Sequence, residues 1–150
     1  MDAKQSALAF LDRHSVGVLS TNSPDGAPRS RAVYYSSDDA FAVYFLTVTG
    51  TRKIDDFNAD AKAAFVVSVE DAPQTLQIEG RVTDITETAA IDPATRELVA
   101  KLQEKGPFFA PVAHLDPGVA RLYKLSPTWV RWGDFTDGMG TDSSLIEIPL

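Results

Sequence analysis

An α+β fold, mainly β, is what the sequence predicts, with six or seven antiparallel strands curled into one barrel and short helices in the connections. Three observations lead there. Short runs rich in β-branched and aromatic residues recur along the chain, separated by turn residues. The first three runs fall within residues 16–47, too close together for the crossover helices of a parallel sheet. Antiparallel strands in that number must close on themselves or have their edges covered. With 150 residues, 44% of them hydrophobic and 23% charged, the chain has the length and composition of a single domain over 1–150 with a real core.

The elements follow in order. Ala7, Leu8, Phe10 and Leu11 sit at helical spacing and predict a short amphipathic helix that ends near His14 and caps one end of the core. Val16 to Thr21 reads as a strand, Ser23 to Pro28 as a turn, and Arg29 to Tyr35 as the second strand of a hairpin. Ser36 to Asp39 turns again, and Phe41 to Thr47 forms a third strand. Gly50-Thr51 opens a helix in which Ile54 and Phe57 share a face, ending near Asn58 to Asp60. Ala63 to Val69 and Thr75 to Ile85 are strands around a break at Asp71 to Pro73, with Gly80 marking a bulge or a close backbone approach. A helix spans about Pro93 to Lys105. After a loop to Pro117, Val119 to Leu125 and Thr128 to Trp132 make two last strands split by Ser126-Pro127, and the tail from Asp134 is extended.

Charge and composition exclude several classes of function. A net charge of -7 and a pI of about 4.7 set a field that repels nucleic-acid backbones and anionic membranes. The absence of cysteine removes disulfides, thiolate metal sites and cysteine nucleophiles, and fits a cytoplasmic, reducing location. Asp2, Lys4, Asp12 and Arg13 interrupt the N-terminal apolar stripe, unlike a signal peptide, and no segment has the apolar length of a membrane span. His14 and His114 lack metal-ligand spacing and read as structural or surface residues. Ser20, Ser30 and Ser68 lack a nucleophile elbow. Asp38-Asp39 and Asp55-Asp56 read as solvated turn and helix-start acids. Phe108 and Phe109 read as core or dimer packing, with closure over a ligand as the alternative.

The informative stretch is 28–57. A helix N-terminus offers unpaired N–H groups and a partial positive charge; Thr51 adds a hydroxyl at the cap, and Arg52 and Lys53 add two cations. Arg31, on the preceding hairpin, can reach the same point with a planar guanidinium. Together they suit a phosphate monoester as well as they suit solvated surface charges; taken singly, each cation reads first as a solvated surface charge.

The order Arg31-x-Val33 in a second strand, Thr47 at the end of a third, Thr51-Arg52-Lys53 at a helix start and Trp132-Gly133 near the end resembles the pyridoxamine 5'-phosphate oxidase-like FMN-binding split barrels, in their general-stress-protein branch. The likeness covers about residues 5–135. It implies that Arg31 and Lys53, helped by Thr51 and Arg52, bind the phosphate of FMN. Val33 and Tyr34 would offer backbone groups to the flavin ring, with Thr47 and, more weakly, Thr49 approaching from the third strand. A glutamine of the family aligns with Thr75, and Gln77 lies two residues on, on the same side of the strand. Trp132 corresponds to a tryptophan that reaches the flavin of the other subunit of a homodimer; the alternative is that it fills its own core. The family's Arg-x-His element for pyridoxal phosphate is missing, since Asp134 follows Arg131-Trp132-Gly133, which argues against pyridoxamine phosphate oxidation. The resemblance thus implies a flavoprotein oxidoreductase acting on a small molecule. Its competitors are a deazaflavin-dependent reductase and a non-catalytic flavin- or haem-binding stress-related module.

Overall fold

The computed structural model describes residues 1–105, 120–137 and 145–150. The elements in chain order are α1 (Ala3–Arg13), β1 (Val16–Asn22), β2 (Pro28–Tyr34), β3 (Ser36–Ser37), β4 (Val43–Val48), α2 (Arg52–Ala59), β5 (Lys62–Val69), β6 (Ala72–Asp84), α3 (Thr86–Ile91), α4 (Pro93–Lys105), β7 (Ala120–Asp134) and β8 (Leu145–Glu147). Among the described residues they form one antiparallel, eight-stranded sheet in the order β2-β1-β5-β6-β7-β4-β3, with β8 added alongside β7.

That order forces the sheet to roll up. β2 and β3 are the two ends of the path, yet only Tyr35 separates them in sequence. The ends therefore meet at a single residue, and the ring is closed by the chain itself rather than by a ladder, which is the split barrel. Tyr35 is fully buried; its N–H donates to the Ser15 carbonyl at 3.1 Å and its hydroxyl to the Leu11 carbonyl at 2.7 Å. The second bond seats α1 in one end of the barrel, where Ala7, Phe10 and Leu11 join the core. At the other end Phe57 of α2 packs on Phe45 and Tyr123, with ring centroids 5.9 and 5.0 Å away. A smaller apolar cluster of Ala42, Tyr44 and Leu122 lies under Ile85, Ala89, Leu98 and Val99 and docks α3 and α4.

Several boundaries differ from expectation for identifiable reasons. Ser36-Ser37, expected to turn, pairs with Tyr44 and Val43, because a partner strand outweighs the turn preference of serine. Phe41 adopts a left-handed φ of 62°, so the strand that follows begins at Val43. The two expected last strands are one strand, β7. Pro127 is accommodated by a bulge, with Glu79 opposite Trp129 and Gly80 opposite Pro127. Gly80 is required there because a Cβ would run into the Ser126 carbonyl. The sequence predicts that the preceding strand runs to Ile85; Thr86 instead bonds back to Asp84 through its N–H and hydroxyl, ending β6 and opening the short α3. Part of the expected tail forms β8 on β7. No helix among the described residues is long and apolar enough to cross a membrane.

Trp132 is corrected by the same register. It stands on the inward face of β7, is 4% exposed, and packs against Phe10 with ring centroids 5.1 Å apart. Its side chain fills its own barrel, so it is a core residue here and not an arm toward a second subunit. Trp132→Ala is expected to cost about 3–5 kcal/mol of folding free energy in urea denaturation. Thr128→Ala, at an exposed bulge position, should stay within about 0.5 kcal/mol. Equal, small effects would show that the Trp132 ring is not the core element described.

Candidate functional site

Pairing with β1 decides which way the β2 side chains point. Arg29, Arg31 and Val33 lie opposite Thr21, Leu19 and Gly17, on the face that lines the barrel. Val33 is deep enough to be core, whereas Arg29 and Arg31 sit at the mouth that α2 covers. The chain reaches α2 through Thr49-Gly50, where Gly50 has a φ of 85° that side-chain-bearing residues rarely adopt. Thr51 is the N-cap residue, but its hydroxyl does not cap the helix; it lies 3.1 Å from the hydroxyl of buried Thr47. The first turn of α2 thus has no side-chain cap. Arg29, Ser30 and Arg31 on one side and Gly50 to Lys53 on the other enclose a cleft of about 610 Å³.

Behind the cleft is a carboxylate whose place at a helix start predicts a solvated acid. Asp56 is wholly buried and accepts three bonds: Oδ1 from Arg29 at 2.7 Å, and Oδ2 from the Thr21 hydroxyl at 2.8 Å and from Arg31 at 3.1 Å. Burial alone would raise its pKa, but the bonds from Thr21 and Arg31 and the charges of Arg29 and Arg31 outweigh it and hold the group below the usual carboxylate range. Lys53 is the opposite case. Burial, and then the charge of Arg31, lower its pKa, and among the described residues no carboxylate pairs with it or with exposed Arg52. Four cations and one buried carboxylate meet at this cleft, inside a chain of net charge -7. The cleft is a local concentration of positive charge in an acidic protein, formed by three guanidinium groups, one amine and a helix N-terminus.

The expected site residues divide into groups. Arg31, Thr51, Arg52 and Lys53 do come together at the cleft, with Thr47 one hydroxyl behind Thr51 and exposed Thr49 in the adjoining turn. Val33 turns its side chain into the core and Tyr34 is half-buried, on an edge strand whose ladder is with β1 alone. Gln77 and Thr75 lie on the outward face of β6, Gln77 in register with Val66 and Arg131. Three strand spacings, about 14 Å, separate Gln77 from β2, so one chain does not bring it to the cleft. Trp132 is interior. Phe108, Phe109 and His114 lie outside the described residues. The His14 ring packs at a tilt on Phe10, with centroids 4.5 Å apart, and no group of three or more acids or histidines among the described residues is arranged to hold a metal. Arg29 and Asp56 were missed. The signals were present: Arg29-x-Arg31 places two cations on one strand face, and Lys53-x-x-Asp56 places cation and acid on one helix face.

The family model described as pyridoxamine 5'-phosphate oxidase matches residues 3–131. No curated protein matches the chain. Among solved structures, a haem-binding protein from Mycobacterium smegmatis superposes with a TM-score of 0.74 at 16% identity, over 99% of this chain and 58% of that one. The chain therefore spans little more than half the length of that protein. An F420 reductase superposes with a TM-score of 0.63 at 26% identity, over 81% of this chain and 93% of its own. A protein from Clostridium acetobutylicum, related to general stress protein 26 of B. subtilis and of the pyridoxinephosphate oxidase family, gives 0.69 at 14% identity, over 99% and 96%. These likenesses agree with the split barrel read from the strand order.

Because the folded pKa of Asp56 lies below its unfolded value, its contribution is present above the unfolded pKa and is lost as pH falls through the folded one. Asp56→Asn should therefore lower stability at neutral pH by about 3 kcal/mol, the low end for a broken buried pair, because both arginines keep some contact with water. The gap between variant and parent should narrow in acid. Urea titrations of both proteins across the acid range test this; a gap independent of pH would refute the ionised, paired carboxylate.

Proposed function

The chain belongs to the pyridoxamine 5'-phosphate oxidase family, and we propose that it is an FMN-binding flavoprotein, an oxidoreductase acting on a small molecule. The observation that carries the reading is the half-buried Lys53 amine, beside Arg31 and with no carboxylate partner among the described residues. A buried cation held next to another cation is costly unless an anion completes the group, and a phosphate monoester at an uncapped helix N-terminus does so. Arg31 and Lys53 would hold the phosphate, with Thr51 and Arg52 at the rim. The strand that carries Arg31 continues into Val33 and Tyr34, whose backbone lies on the edge strand where a flavin ring can be laid alongside. Thr47 and Thr49 approach from the end of β4. FMN supplies the hydride chemistry when bound; the chain binds, orients and shields it.

We also propose a homodimer with shared sites. Val16 and Val18, on the outward face of β1, are 44% and 38% exposed, and Val18 is in register with Val66 and through it with Gln77. A second copy seated on this face would cover the valines and give Gln77 a partner's flavin to meet. Phe108 and Phe109 remain candidates for the same interface. The cysteine-free composition fits action in the cytoplasm. A second reading, a deazaflavin-dependent reductase, is favoured by the 26% identity to the F420 reductase. The absorption spectrum of the purified protein, with mass identification of the released cofactor, separates flavin, deazaflavin and haem. A colourless protein that takes up none of the three would remove the basis of both readings.

Lys53→Ala should weaken FMN binding about ten- to a hundredfold, the effect of one charge-assisted hydrogen bond, and leave riboflavin binding unchanged. The pH profile has a fixed sign. A phosphate raises the lowered Lys53 pKa, so FMN affinity falls as pH rises through the free protein's value, below the ordinary lysine range. Lys53→Arg should remove that decline. Pyridoxamine 5'-phosphate should not be turned over, since Arg131-Trp132-Gly133 carries no histidine where the family has Arg-x-His; sustained peroxide formation with that substrate would refute this.

A further inference from the structure

We infer that Asp56 is a positioning residue for the phosphate: together with Thr21 it clamps the Arg31 guanidinium in the orientation from which it meets the ligand. The inference rests on the phosphate reading of the cleft. Its physical basis is a closed ring of hydrogen bonds. Arg31 Nη1 donates to Thr21 Oγ1 at 2.6 Å, the Thr21 hydroxyl donates to Asp56 Oδ2 at 2.8 Å, and Arg31 Nη2 donates to the same oxygen at 3.1 Å. Both terminal nitrogens of Arg31 are thereby held on one edge by groups that are themselves buried, Thr21 at 3% and Asp56 at 0% exposure. A guanidinium has five N–H donors in a rigid plane, so fixing one edge fixes the direction of the remaining donors. Arg31 nevertheless keeps 21% of its side chain accessible and lines the cleft opposite Lys53.

The sequence spacing makes the clamp part of the site rather than a neighbour of it. Lys53 and Asp56 are three residues apart on α2 and share a face. One short helix thus carries both the cation that completes the cleft and the acid that holds the strand arginine. Arg29 occupies the other oxygen, Oδ1, at 2.7 Å, which stops the carboxylate from turning away from Arg31. A floppy arginine would lose side-chain freedom when it bound a phosphate; a clamped one has lost it on folding.

The inference can be decided because two physical effects have opposite signs. If Asp56 acts only as a nearby negative charge, removing it strengthens binding of an anion. If it acts by holding Arg31, removing it weakens binding. FMN and riboflavin are titrated against the parent, Asp56→Asn, Thr21→Val and Lys53→Ala, all below their unfolding midpoints. The expected result is about a tenfold loss of FMN affinity in Asp56→Asn and in Thr21→Val, with riboflavin within about twofold of the parent. Thr21→Val breaks the ring while leaving every charge in place, and decides alone if Asp56→Asn does not fold. Unchanged or tighter FMN binding in either variant, or equal losses for both ligands, would overturn the inference. If Lys53→Ala loses FMN and the two clamp variants do not, only the clamp has failed. If Lys53→Ala also leaves FMN unchanged, the phosphate reading has failed and takes the clamp with it.

Discussion

The ends of the seven-strand path are one residue apart, and most of the molecule answers to that constraint. Because β2 runs into β3 through Tyr35 alone, the sheet cannot lie open. A rolled sheet has an inside that its own side chains must fill and two mouths that something must cover. Leu19, Phe45, Phe65, Leu76, Ile78, Leu125 and Val130 fill the inside; α1 covers one mouth and α2 the other. Closure by the chain instead of by a ladder also leaves the far edge of β2 without a strand. The proposed flavin site would use that edge.

At the α2 mouth the covering element has to bury a polar end against a polar rim. Asp56 resolves this by taking three hydrogen bonds from Thr21, Arg29 and Arg31, which satisfies a fully buried carboxylate and ties helix to strand. A consequence is chemical asymmetry. Asp56 faces two arginines, while Lys53 and Arg52 of the same helix have no carboxylate in reach among the described residues. A chain whose overall charge is -7 thus keeps a cationic cleft, since short-range contacts at a partly dry mouth outweigh distant charges screened by solvent.

The outer surface is divided as well. α3 and α4 cover the β4 and β7 side through Ala42, Tyr44 and Leu122. The β1 and β5 side keeps exposed valines, with Gln77 in the same cross-strand row. The residues expected at one flavin therefore fall on two surfaces of a single chain: the cationic cleft at the mouth, and the outward face that carries Gln77. In the proposed two-fold assembly such surfaces would serve one site.

By itself the sequence determined the antiparallel strands, the turn at Ser23 to Pro28, α2 and α4 to within a residue or two, and the cluster of Arg31 with Thr51, Arg52 and Lys53. These are local properties: alternation, turn chemistry and the charges that flank a helix start are written in neighbouring residues. Strand order was not legible, because nothing near Tyr35 says that its two sides pair with β1 and β4. The role of Asp56 was hidden for the same reason, since its partners are 25 to 35 residues away and a surface acid at a helix start has the same local pattern. Trp132 is the converse. Its family correspondence suggested an outward arm, and only the register of β7 against β6, which alternates the two faces residue by residue, placed the ring inside on Phe10. Which face a side chain occupies is a property of the paired strand and not of the single one, and so it was decided by the tertiary structure.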